Sequence, residues 1–157
     1  MFTEGKIDGV IVRELSRFSD HRGWLIEIFR ADESPKELMP LMAYVSETHP
    51  NTARGPHEHV EQTDRFAFLG PSNFKVYLWD TRETSSTFGR RMTLVAGADR
   101  PAVVVIPPGV VHAYKNIGSV PGWVMNCPNR LYRGPGRNQP VDEIRHEDSP
   151  ESRFVLD

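Results

Sequence analysis

Histidines at positions 57, 59 and 112 are the side chains of this chain best placed by type and spacing to do chemistry. The run Arg54-Gly-Pro-His57-Glu-His59 sets two imidazoles at i and i+2, which on a strand puts both on one face. If that face points into a barrel, the rings converge. The third, His112, lies in Pro107-Pro-Gly109-Val-Val-His112-Ala-Tyr-Lys-Asn116, a run of the form P-x-G-x-x-H-x-x-x-N. Imidazole titrates near ~6.5 and can move a proton at neutral pH. Three imidazoles with a carboxylate are also a ligand set for a divalent metal such as Zn, Fe, Mn or Ni. Here that set would be His57, His59, His112 and Asp64, Glu61 being the other nearby acid.

The elements that must position these groups read as short strands. Runs rich in β-branched and aromatic residues occur at Val10–Val12, Gly23–Phe29, Leu41–Ser46, Arg65–Leu69, Phe74–Trp79, Arg91–Val95, Ala102–Ile106, His112–Ile117 and Gly122–Asn126. Most are bounded by Gly, Pro, Asn or Asp, the pattern of an all-β sandwich or barrel. Only Ser34 to Leu41 has a helical look, with Pro35 at a first-turn position. Gly70-Pro71-Ser72-Asn73 reads as a tight hairpin laying Arg65–Leu69 beside Phe74–Trp79. Pro107-Pro108-Gly109 must end the strand before it and turn the chain ahead of His112. From Pro128 to Pro140 the composition turns to Pro, Gly, Arg and Asn, predicting an irregular flap on one domain spanning 1–157. The charged stretch Asp142 to Asp148 reads as a solvated face.

At 157 residues the chain suits one domain with a single core, and 38% apolar with 25% charged residues is ordinary for a globular protein. A net charge of −2 argues against a nucleic-acid or anionic-membrane partner, which would draw on clustered Lys and Arg. Cys127 is the single cysteine, which leaves no disulfide and no CxxC site, and it is expected as a small buried hydrophobe. The N-terminal residues carry Glu4, Lys6 and Asp8 where a signal peptide needs an apolar run, so a cytoplasmic location is expected.

The P-x-G-x-x-H-x-x-x-N run with the preceding His57-x-His59 resembles the cupin superfamily. That resemblance implies an all-β cupin double-stranded β-helix, a jelly-roll barrel. A narrower resemblance covers most of the chain. Asp20-His-Arg22-Gly23-Trp24 with Glu27 and Phe29, then Arg54-Gly55 before His57, then Asp80-Thr-Arg82 with Ser86-Thr87-Phe88-Gly89, then Ile106-Pro-x-Gly109 before His112, follow the order of the dTDP-4-dehydrorhamnose 3,5-epimerases.

The resemblance implies an isomerase of a nucleotide-linked 4-keto-6-deoxy sugar that needs no cofactor and works as a homodimer. His57 would be the base, and Arg54 and His112 would bind the diphosphate or the sugar. Arg22 and Glu27 would hold the nucleotide, often across a dimer interface. Arg65 stands about where the family has a substrate-binding lysine, and Arg65, His59 and His112 are the candidates to stabilise an enolate oxygen. The family's tyrosine proton donor falls at Met125, and its acidic partner for the basic histidine has no counterpart in this reading. The short sugar 3,4-ketoisomerases also share R-G-x-H-x-H, and their tyrosine would correspond to Tyr44. A metal-dependent cupin enzyme and a sugar-binding cupin without catalysis are the alternatives.

Overall fold

The computed structural model describes residues Met1–Asp157. Two sheets face each other. One contains β1 (Thr3–Glu4), β6 (Ala53–Glu58), β8 (Asn73–Asp80), β9 (Arg90–Gly97), β11 (Val110–Asn116) and β13 (Ile144–Arg145), in the order β1-β9-β8-β11-β6-β13. The other contains β2 (Ile11–Glu14), β5 (Tyr44–Thr48), β7 (Asp64–Gly70), β10 (Ala102–Ile106) and β12 (Gly122–Asn126), in the order β2-β10-β7-β12-β5. A separate hairpin is made by β3 (Arg17–Asp20) and β4 (Gly23–Ile26). This is the expected jelly roll, with every pairing antiparallel except β1 with β9.

Alternation explains the core. Phe66 and Phe68 of β7, Phe74, Val76 and Leu78 of β8, Val104 and Ile106 of β10, and Val110 and Tyr114 of β11 project between the sheets. The intervening Tyr77, Trp79, Val111 and Ala113 point the other way, yet they are buried because the C-terminal Phe154 and Leu156, with Phe2, cover that face. A strand covered on both sides reads as a continuous apolar run, which is why Val76 to Trp79 shows no polar alternation.

One sequence expectation changes. The Gly70-Pro71-Ser72-Asn73 turn does not make a hairpin: β7 pairs with β10 and β12, β8 with β9 and β11, so the turn carries the chain from one sheet to the other. Pro107-Pro108-Gly109 makes a second such corner, between β10 and β11. Ser34 to Leu41 holds only a 3-10 turn at Lys36–Leu38, preceded by another at Ala31–Glu33. Residues 128–140 are irregular apart from a 3-10 turn at Pro135–Arg137. No helix is long and apolar enough to cross a membrane.

Candidate functional site

The site begins with an irregularity in β6. In a regular strand Arg54 and His57, three residues apart, would face opposite ways. The pairing with β11 slips between them, His112 opposing His57 and Tyr114 opposing Arg54, so β6 carries one extra residue. A bulge of this kind re-aims a side chain. It also dictates Gly55, which has φ +80°, and whose added Cβ would stand 2.5 Å from the carbonyl oxygen of His112. The same strand then delivers His57 and, just past its end, His59.

His112 enters from β11 and Asp64 from β7, the latter 1% exposed. Ligand atoms of His57, His59, Asp64 and His112 all lie within 4.8 Å of one another. His59 Nε2 and His112 Nε2 both approach Asp64 Oδ2, at 3.1 and 3.2 Å. The other Asp64 oxygen accepts from Gln62 Nε2 and Asn126 Nδ2, each at 2.8 Å. Asn126 Nδ2 also donates to Tyr44 Oη at 3.0 Å, which links that phenol to the cluster. Burial pushes the Tyr44 phenol up to about 12, so it keeps its proton at neutral pH.

Two imidazoles diverge electrostatically. Burial, then the neighbouring His112 and His59, push His57 down to about 2, which keeps it neutral. Burial also opposes charge on His59, but its hydrogen bond to Asp64, the Asp64 charge and the Asp142 carbonyl outweigh that and raise it to about 9. Asp64 is itself held below the usual carboxylate range: burial opposes ionisation and the bonds from His112 and His59 overcome it. The result is a neutral imidazole beside an imidazolium–carboxylate pair.

The C-terminal segment closes over this cluster, correcting the expectation that Asp142 to Asp148 is merely solvated. Asp142 accepts the backbone N–H groups of Val60, Glu61 and Gln62 at 2.9, 3.0 and 2.7 Å, and its carbonyl meets His59 Nδ1. Past it, β13 pairs with β6 so that Arg145 opposes His57. Two residues earlier and on the same face, Glu143 brings a carboxylate oxygen to 3.9 Å from His57 Nδ1. Sequence reasoning missed Glu143, whose one signal was the charged stretch Asp142 to Asp148 in which it lies.

Above the cluster opens a cavity of about 1370 Å³, lined by Tyr44, Arg54, His57 and His59, by flap residues including Arg130, Tyr132, Arg133 and Arg137, and by Glu143 and Arg145. That exceeds the roughly 300–1,000 Å³ of an ordinary small-molecule pocket. Arg54 lies along its wall, donating to Thr48 Oγ1 at 3.1 Å and the Glu47 carbonyl at 2.7 Å. His112 sits behind the lining, 2% exposed.

The structure does not bring the remaining sequence candidates here. Arg65 follows Asp64 on β7 and therefore faces the opposite side of the sheet, so Asp64 holds the inward place expected of Arg65. Met125 likewise points outward from β12, packed with Ala67, Val103 and Val105, while Val124 and Asn126 face in. Arg22, paired with Asp20 at 2.5 Å, is on the exposed β3–β4 turn, and Glu27, 3.6 Å from Arg30, follows β4. Neither lines the histidine cavity. Asp80 proves structural: it is buried and binds Arg82, Ser85 and Thr87 of the following loop.

Histidines from two neighbouring strands of a jelly roll, beneath a cavity rimmed with arginine, define a cupin with a polar small-molecule site. Residues 4–134 match the family model described as dTDP-4-dehydrorhamnose 3,5-epimerase, and the chain belongs to that family of isomerases. It is 39% identical over 127 residues to "Probable low-salt glycan biosynthesis epimerase Agl13" of Haloferax volcanii, covering 80% of this chain and 81% of that one. It is 36% identical over 115 residues to the spore coat polysaccharide biosynthesis protein SpsL of Bacillus subtilis, covering 73% and 75%. A dTDP sugar isomerase from Desulfovibrio desulfuricans G20 superposes with a TM-score of 0.81 at 27% identity, covering 95% of this chain and 91% of the other.

Proposed function

We propose that this protein epimerises a nucleotide-linked 4-keto-6-deoxy sugar, with His57 as the base that removes the proton beside the ketone. The observation that carries the reading is geometric: the half-buried His57 stands at the floor of the large arginine-rimmed cavity, with the Glu143 carboxylate 3.9 Å from its Nδ1 and the His59–Asp64 pair beside it. A C–H beside a carbonyl becomes acidic only when the developing enolate oxygen is met by a donor or a positive charge. His59 is the candidate for that charge, backed by Asp64. Glu143, its carboxylate 3.9 Å from Nδ1, balances the charge of the proton that His57 takes. Tyr44, protonated and lining the cavity, returns a proton to the sugar; Met125 has no part in this.

Arg54 and the flap arginines Arg133 and Arg137 supply fixed positive charge for the diphosphate, for which the guanidinium fork is suited. Arg22 and Glu27 would reach a site only on a second copy. The β3–β4 hairpin supports this, since Phe18, Trp24 and Leu25 on it are more than half exposed. A homodimer in which each hairpin completes the partner's cavity, acting in cytoplasmic carbohydrate biosynthesis without a cofactor, is the reading we adopt.

One observation favours a metal-dependent second reading. The Nδ1 atoms of His59 and His112 are engaged by the carbonyls of Asp142 and Val110, leaving both Nε2 atoms aimed at Asp64. Outer partners orient metal-binding histidines in the same way, and His57, His59, His112 and Asp64 would be the ligands.

The test is incubation of chelator-stripped protein with dTDP-4-keto-6-deoxyglucose in D₂O, followed by proton NMR. Deuterium at C3 or C5 is expected. Exchange that appears only when a stoichiometric divalent ion is restored would replace the metal-free reading with the metal reading, and no exchange under either condition would overturn both for this sugar.

A further inference from the structure

We propose that Arg65 is the centre of a second ligand site, one for a small tetrahedral oxyanion such as inorganic phosphate, on the opposite face of β7 from the histidines. Arg65 is 8% exposed although it carries a full positive charge. Its Nε is buried without a hydrogen-bond partner. One terminal nitrogen makes two long contacts, both 3.4 Å and both to neutral oxygens, Ser34 Oγ and the Leu38 carbonyl. The guanidinium lies over the Phe29 ring at 5.2 Å. Burial lowers its pKa, and the largest charge effect on it, that of Arg13, is repulsive and lowers it further.

A buried cation is tolerated where an anion meets it. Space for one exists. Arg65 borders a cavity of about 130 Å³ whose wall also holds Arg13, Arg30, Glu33 and Ser34. Glu33 is the one acid there and is already shared, 3.3 Å from Arg13 and 3.6 Å from Arg30. Arg30 is held besides by Asp32 at 2.6 Å and Glu27 at 3.6 Å, so the positive charge left without an acid at this cavity is that of Arg65. Its volume equals the liquid share of about four waters, taking roughly 30 Å³ for each, so a phosphate or sulfate fits and a nucleotide does not. The Nε edge of Arg65 offers the paired donors that such an oxyanion accepts bidentately, with Ser34 supplying a hydroxyl.

The site stands apart from the proposed catalysis, because alternation along β7 sends Asp64 to one side and Arg65 to the other. The experiment is calorimetric titration of inorganic phosphate, at constant ionic strength, into wild type, Arg65→Met and Arg54→Met, with sedimentation of each protein. One saturable site per chain is expected in the wild type and in Arg54→Met, with affinity about tenfold or more weaker in Arg65→Met. Should Arg65→Met fail to fold, Arg13→Met and Ser34→Ala carry the same expectation of weakened phosphate binding. Three results would overturn the proposal: no saturable site in the wild type, phosphate binding lost in Arg54→Met but kept in Arg65→Met, or no phosphate binding together with dimers that dissociate in Arg65→Met. The last would mean that a carboxylate of a second copy meets this charge.

Discussion

Glu143 and His57 illustrate how much the local charge setting matters. A general base contributes about 10²–10⁴-fold. Glu143→Gln keeps the shape and removes the charge that favours an imidazolium, so kcat should fall by about tenfold or more with KM little changed, measured by steady-state turnover. An equal kcat would show that Glu143 is only a neighbour. Tyr44→Phe should leave proton removal intact but slow delivery of a proton to the opposite face, so deuterium wash-in would exceed product formation. His59 adds a pH signature. Its folded value, about 9, lies above the unfolded ~6.5, so the stability it lends is full below pH 6.5 and is lost as pH rises through 9. His57, depressed to about 2, acts oppositely: its share is present above pH 6.5 and is lost as pH falls toward 2. In chelator-treated protein, urea midpoints against pH should therefore slope downward from 6.5 to 9, and His59→Gln should flatten that limb. An unchanged slope would contradict the His59–Asp64 ion pair.

At the scale of elements, the bulge in β6 and the closing segment from Asp142 to Arg145 assemble the site. Gly55→Ala forces a side chain onto the His112 carbonyl at positive φ and should cost about 1–3 kcal/mol in urea unfolding, together with lost turnover. Wild-type stability in that variant would mean the bulge is not required. The strands Ala102–Ile106 and Gly122–Asn126 match their runs residue for residue, because their ends are set by Gly, Pro or Asn and their apolar content is high. The histidines were legible for the same reason, since i and i+2 spacing survives on any strand. What escaped depended on register. Arg65 for Asp64, and Met125 for Asn126, are each errors of one residue, and one residue flips a side chain to the other face. The β7–β8 corner escaped because a tight turn looks alike whether it joins neighbours in one sheet or crosses between two. Glu143 escaped because its position follows from long-range pairing of β13 with β6, which no local pattern announces.

For the whole molecule, the β3–β4 hairpin is the feature a lone chain leaves unexplained. Trp24 is 53% exposed and its indole meets the Arg17 guanidinium at 4.9 Å, while Phe18 and Leu25 face solvent. Burying such a hairpin against a second copy would satisfy its apolar surface and carry Arg22 and Glu27 to the neighbouring cavity. Light scattering should give twice the 17.9 kDa chain mass, and Trp24→Glu should shift it toward the monomer with weaker nucleotide-sugar binding. A wild-type monomer of full activity would contradict this arrangement.

The central claim is that His57 removes the proton beside the ketone. Its most direct test is the single-turnover rate of deuterium incorporation from D₂O into the 4-keto sugar by metal-free wild type and His57→Asn, with circular dichroism confirming that both are folded. The account predicts that exchange falls at least about 10²-fold in His57→Asn while the nucleotide sugar still binds. Exchange at the wild-type rate in that folded variant would contradict it and move the base elsewhere in the cavity.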